Sequence, residues 1–340
     1  VSAPRRFLVG TLSPDEPLWE AELVGGALTV RAVPLRAQNV FSITMHPSLP
    51  LAYLVEFADS PLLHVLSLGD GPVVPLSSTP LEGIAGACRV RVDAEGTTLA
   101  VAGYFSSNVL VARLASDGLS LTESHTIALK GHGPDPDRQT VSHPHDVLFR
   151  GDELIAVDLG ADRLHRLNLA DGLARKPVLL PRGSGPRHAA SGPDDTLVVS
   201  GELDSAVYLV GASETQSAAA STVDGGERNY PSTILYSERH TSVWVANRGA
   251  NTIRRYGVEG SALVALEETP SGAQWPEHLA VVDDVMLVAH SRGNSLTVLP
   301  IDSDGRLGSP LASAAVPQAV WVEPVPTCSN RGTASISSRV

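Results

Sequence analysis

Four side chains suited to acid–base and anion chemistry sit in separate short motifs. They are His145 in S-H-P-H, Arg187 in G-S-G-P-R-H, Glu202 in G-E-L-D-S and Arg248 in V-A-N-R-G. An imidazole or a carboxylate can take a proton near neutral pH when suitably placed. A guanidinium offers fixed positive charge for a developing oxyanion and a planar fork for a carboxylate or phosphate. With either His145 or Glu202 as the base, such a set could activate water and stabilise the oxyanion formed by its attack. His143 and Asn247, beside this set in sequence, are read with Arg187 and Arg248 as substrate contacts.

Other chemistries lack their signatures. His143 and His145 are two apart and would share one face of a strand, as metal ligands can. No third ligand follows at a sensible spacing, so neither a metal nor a cofactor is expected. There is no G-x-S-x-G elbow for a serine nucleophile. Gly183-Ser184-Gly185 looks like a phosphate-cradling loop, but no helix follows it. Alternation along a strand turns His188 to the face opposite Arg187. Asp158 and Arg163 bracket a tight turn and are expected to pair. Glu227 and Arg228 lie in a long connection that could line the mouth of a site.

What brings these motifs together is a repeat. An apolar strand, a polar turn and a second apolar strand recur at Leu51 to Leu66, Thr98 to Val111, Glu153 to Leu167, Thr196 to Leu209, Ser242 to Tyr256 and Met286 to Leu299. The residue opening the later strand is Leu62, Val109, Leu164, Val207, Ile253 and Leu296, at intervals of 47, 55, 43, 46 and 43. Those intervals are the lengths of β-propeller blades. The longest contains the polar insertion Gly131 to Thr140. Six units cover about residues 40 to 305. The remaining pieces, Phe7 to Leu23 and Ala319 to Val322, predict a seventh blade built from both chain ends, which protects the sheet edges of an open array. The reading is all-β: a seven-bladed propeller over residues 1–326, with a loose tail at 327–340. A stack of sandwich domains would not explain the long period.

In a ring, equivalent positions stack around one axis, and two columns stand out. One is the residue after the proline that opens a first strand: His145, Arg187, Ser232, Glu277 and Gln318, with Ser42 and Cys88 in the first two units. The other lies five before the aligned apolar residue: Phe57, Tyr104, Leu159, Glu202, Arg248 and Ser291. The charge gathers in units three to five. Buried charge is costly unless paired, so this is either a pocket or an ion-paired plug.

Composition sets the outer limits. With 43% hydrophobic and 18% charged residues the chain is globular, and aromatics at 4% leave the core to Val, Leu, Ala and Ile. A net charge of −12 argues against a nucleic-acid-coating protein, although local arginines can oppose the global sign. Cys88 and Cys328 make no disulfide framework, and Cys88 reads as a small core residue. No run is long enough for a membrane span or a signal peptide, so a cytoplasmic location is expected; because the chain starts at Val1, a removed leader stays open.

The motifs G-P-D-P-D-R-Q (Gly133 to Gln139), S-H-P-H, D-L-G-A-D-R, G-S-G-P-R-H, G-E-L-D-S and V-A-N-R-G resemble, in order, the seven-bladed β-propeller lactonase family. Its best-known members are 6-phosphogluconolactonases, and related proteins are carboxymuconate lactonizing enzymes. The resemblance covers residues 130 to 255 well. It implies hydrolysis of a small anionic sugar lactone, or a related organic acid as ligand, in the oxidative pentose-phosphate route. It also assigns the family's histidine, first arginine, acid and second arginine to His145, Arg187, Glu202 and Arg248. Relatives often carry Pro-Arg and an Asn-Gln pair where this chain has Pro276-Glu277 and His290-Ser291. A muconate-type cycloisomerase and a non-catalytic interaction platform are the competing readings.

Overall fold

The computed structural model describes residues 4–69, 71–211, 214–223 and 228–326. The expected tail at 327–340, Cys328 and Glu227 lie outside the described residues. The chain forms seven four-stranded antiparallel sheets arranged as a β-propeller. The first strands of blades 1 to 6 are Ser42–Met45, Ala87–Val92, Pro144–Arg150, Pro186–Ser191, Tyr230–Ser237 and Pro276–Val282. They pack against one another in turn around the axis, and each blade then runs outward strand by strand.

The seventh blade is the predicted composite. Arg5–Thr11, Leu18–Val24 and Ala27–Ala32 supply its outer three strands, and Ala319–Val325 supplies the innermost one. That strand pairs antiparallel with the first, Val9 opposite Val322. The N-terminal part is longer than the sequence pattern indicated, because Ala27–Ala32 is a mostly exposed edge strand in which only Leu28 and Val30 turn toward the blade interface.

Each blade is apolar on both faces because each face meets a neighbouring blade. The second strands Thr98–Gly103 and Val285–His290 are therefore buried along their whole length, as in any sheet covered on both sides. Seven hydrophobic clusters result among the described residues, one for each blade-to-blade interface. Phe7 and Val9 pack with Leu287 and Leu296 of blade 6, and Leu8 and Leu18 with Ala52 and Leu54 of blade 1, which closes the ring. Outermost strands such as Leu121–Ala128 are mostly exposed.

A β-bulge recurs near the start of the innermost strand. The register slips between Ala87 and Arg89, Pro144 and Asp146, Pro186 and Ala189, Pro231 and Ile234, and Pro276 and His278. Proline fits there because the first residue of an edge strand need not donate to the ladder. A bulge re-aims the residue it frees, and the freed residues include Cys88, His145, Arg187 and Glu277. In the closing strand the slip falls between Ala319 and Trp321, opposite Thr11 and Gly10. The column position there is Val320, not Gln318 as the Pro317-Gln318 alignment gave. Gln318 is exposed and instead accepts from the Leu12 amide.

Candidate active site

The second column is fixed by a shared backbone hydrogen bond. The amides of Tyr104, Leu159, Glu202 and Ser291 donate to Gly86, His143, Gly185 and Trp275, in each case the residue preceding the first position of the innermost strand. This bond ties the two columns together at one mouth of the channel. At Gly185 the turn needs glycine: φ is +53°, and a Cβ would meet the Leu203 side chain at 2.4 Å.

At that mouth Glu202 is the hub. Its Oε1 accepts from Arg138 at 2.7 Å, and its Oε2 lies 2.6 Å from Arg248 Nη2 and 2.9 Å from Arg187 Nε. The Arg187 N–H is not directed at that oxygen, so this last contact is Coulombic rather than an aligned hydrogen bond. Glu277 Oε2 lies between the same arginines, 3.3 Å from Arg248 and 3.5 Å from Arg187, and its Oε1 accepts from Ser291. Three guanidiniums thus face two carboxylates, and the cluster keeps a positive excess. Burial alone would raise the Glu202 carboxyl, but Arg248, Arg187 and Arg138 override it and hold the group well below the usual carboxylate range.

His145 lies beside this cluster, its ring edge-on to Tyr104 and to His188, with centroids 5.6 and 5.4 Å away. Its Nδ1 is buried without a hydrogen-bond partner. Burial, reinforced by Arg187, pushes its pKa well below 6.5, so the ring is neutral at physiological pH. His143 stacks on the other side of Tyr104 at 4.4 Å and bonds the Tyr104 carbonyl through Nδ1. No group of residues suited to hold a metal ion occurs among the described residues.

Arg138 was missed as a site residue. It lies in the insertion between blades 2 and 3, outside the repeat, although the motif containing it is conspicuous. Gln139 pins that insertion: fully buried, it donates to the Leu159 carbonyl and to Asp162. Asp135 caps the following amides, including that of Arg138. Arg138 is thereby held toward Glu202 and the Tyr104 hydroxyl.

Other placements differ from expectation. Asn247 is fully buried among Asn229, the Ser221 carbonyl and Thr252, and is not brought to the cluster. His188 does not turn away from Arg187; the bulge breaks alternation, and its Nε2 lies 3.3 Å from Arg187 Nη1. Asp158 and Arg163 are backbone partners but make no ion pair. Asp158 takes the His143 amide and His165, while Arg163 folds back to the Ala161 carbonyl. The Gly183–Gly185 loop does cradle an anion, the Asp162 carboxylate, through two backbone amides and Ser184. Arg228 stands at the rim over Tyr230. Cys88, as expected, is a buried core residue in a blade interface, its thiol pushed up to about 12 by burial.

A seven-bladed propeller is also the fold of a known family of hydrolases. The family model described as Lactonase, 7-bladed beta-propeller, matches residues 25–324. The chain belongs to that family, and it is a lactone hydrolase. It is 27% identical over 253 residues to a 6-phosphogluconolactonase of Bacillus subtilis, a match covering 69% of this chain and 72% of the relative. Among solved structures, a Lactobacillus plantarum protein superposes with a TM-score of 0.86 at 23% identity, covering 95% of this chain and all of the other. The periplasmic gluconolactonase of Pseudomonas aeruginosa gives 0.86 at 20% identity, covering 95% of this chain and 99% of that one. Among the described residues, no helix is long and apolar enough to cross a membrane.

Proposed function

We propose that this chain hydrolyses a phosphorylated aldonolactone of the 6-phosphogluconolactone type in the cytoplasm, with the chemistry at the Glu202 mouth. The observation that carries the reading is the convergence of Arg138, Arg187 and Arg248 on Glu202 beside a neutral His145. The 6-phosphogluconolactonase relative supports the substrate class.

His145 takes a proton from water as the oxygen attacks the lactone carbonyl carbon. Between the two candidate bases it is the better suited, because Glu202 is held ionised by three cations and has little affinity for a proton. The carbonyl oxygen becomes an oxyanion facing Arg187 and Arg248. Positive charge already fixed in a dry site needs no rearrangement at that moment. The ring C–O bond then breaks, and His145 returns its proton to the departing alkoxide, leaving a ring-opened acid. Glu277 accepts from both arginines and Glu202 from Arg248, and together the two carboxylates fix the guanidinium planes. Arg138 and the exposed Arg228 and Arg292, at the rim, engage the substrate's phosphate.

The test compares ring opening of 6-phosphogluconolactone and unphosphorylated gluconolactone by the wild type and by Arg187→Ala. The reading requires preference for the phosphorylated ring and a loss of about 100-fold or more in kcat in the variant. Equal use of both lactones removes the phosphate assignment. Normal kinetics in Arg187→Ala removes the site.

A further inference from the structure

The innermost strands start at the mouth just described and end at the opposite opening of the channel, where a second polar cluster has no part in the proposed reaction. Arg89 and Arg91 come from blade 2, Asp146 from blade 3, His188 from blade 4, His278 from blade 6, and Trp321 and Glu323 from the closing strand. They line a cavity of about 100 Å³. Arg91 and Glu323 also line an adjoining cleft of about 510 Å³ that opens among the far loops.

Arg89 is 8% exposed and lies 4.3 Å above the Trp321 ring, which itself stacks on His278 at 3.6 Å. Its Nε is 2.8 Å from Asp146 Oδ1 with the N–H aimed elsewhere, and its Nη1 has no acceptor. Arg91 Nε, 3.6 Å from the same oxygen, is likewise buried without a hydrogen bond. Asp146 is largely committed elsewhere, accepting from the amides of Val147 and Ala189. Guanidinium donors left unmatched in a dry cavity are costly and are matched well by a planar or tetrahedral oxyanion. Asp146 offsets one of the two guanidinium charges, and the other neighbouring titratable groups leave the second uncancelled. Burial holds His188 and His278 neutral, and it pushes Glu323 up to about 7, which leaves that carboxyl partly protonated near neutral pH.

We propose that Arg89 and Arg91 form a second anion site at the far end of the channel, binding a small carboxylate or phosphate-type oxyanion against Trp321 and His278. The site is independent of the lactonase reading. An anion there bridges blade 2 to the closing strand.

Sulfate, a dianion throughout the useful pH range, is titrated calorimetrically into the full chain carrying Arg248→Gln, which removes the competing charge excess at the mouth. One-to-one saturable binding is expected. Adding Arg91→Gln should weaken it at least tenfold, and adding Glu323→Gln should tighten it about threefold. Acetate that displaces the sulfate identifies a carboxylate site; sulfate that resists acetate identifies a phosphate-type site. Absence of saturable binding, or unchanged affinity in Arg91→Gln, overturns the proposal. Should Arg248→Gln fail to fold, a sulfate soak of wild-type crystals decides. Density between Arg89 and Arg91 upholds the site, and density at the mouth alone overturns it.

Discussion

Arg138 and Glu202 are in contact at 2.7 Å although one belongs to an insertion between blades 2 and 3 and the other to blade 4. The arginine side chain remains 35% exposed while the carboxylate is buried. A buried acid is thus reached from the solvent side by a cation whose outer face is free to meet a ligand. That places Arg138 at the entrance rather than at the reacting carbon.

Replacing Arg138 by Gln should therefore act mainly on binding. Loss of one charge-assisted contact is worth about 1.5 kcal/mol, or roughly tenfold. Steady-state kinetics should show KM rising about tenfold with kcat changed less than about threefold. A fall confined to kcat would move Arg138 into the reaction itself.

Glu202→Gln has a different signature. With Glu202 neutral, only Glu277 is left between Arg187 and Arg248, and their like charges separate the two guanidiniums. The prediction is a kcat lower by about 1,000-fold, within the range for loss of transition-state electrostatics. With His145 as the proposed proton acceptor, the residual activity should keep an acid limb in its pH–rate profile, displaced to lower pH because the Glu202 charge that raises the His145 pKa is gone. If that limb disappears in Glu202→Gln, Glu202 is the base.

The repeat made most of this legible. Pro144-His145 and Pro186-Arg187 recur at blade spacing, so a shared axis followed from sequence, and Glu202 and Arg248 fell in the second column for the same reason. Arg138 could not be found that way, since an insertion has no counterpart in other blades. The seventh blade shows how the marker slips: Pro317 lies two residues ahead of Ala319, where the strand pairing begins. His188 was misdirected because alternation holds only where the ladder is regular, and the bulge after Pro186 ends that regularity.

Asn247 makes a useful contrast with the cluster. Its amide joins Asn229, Ser221 and Thr252 within blade 5 and its neighbour. Asn247→Ala should leave buried partners unmatched at a cost of about 1–3 kcal/mol. Thermal denaturation should report a lower Tm, with KM close to wild type. A large KM change at unaltered Tm would restore Asn247 as a substrate contact.

Ring closure rests on Val322, fully buried between the N-terminal strands and blade 6. Val322→Asp puts a charge there with no cation to receive it. The cost should be several kcal/mol, enough to consume much of the stability of a domain. Loss of a cooperative melt, or a Tm lowered by more than about 10 °C, is expected by circular dichroism. A near-normal melt would mean the last strand is dispensable.

Acid should destabilise the protein early, and the cause lies in the channel. His145, His188 and His278 are all held well below 6.5 by burial, helped by Arg187 for the first two and by Arg89 for His278. The folded state keeps these rings neutral, whereas the unfolded chain protonates them as pH falls through 6.5. Stability is therefore complete above that value and declines below it, toward the depressed folded pKa values. Each ring contributes about 1.4 kcal/mol per pH unit. His290, lowered to about 4, adds a fourth, and Glu323, raised to about 7, offsets one because the folded state binds its proton first. That leaves about 4 kcal/mol per unit once the histidines of the unfolded chain are fully protonated. Glu202 adds nothing to this fall until the pH drops below its unfolded value of 4.5, because its own folded pKa is depressed. Denaturant midpoints measured between pH 7 and 5 should fall steeply, and the slope should lessen by about a third in His278→Gln. A midpoint that stays flat down to pH 5 would show that these rings protonate without unfolding the ring of blades, and that the channel is wetter than its packing indicates.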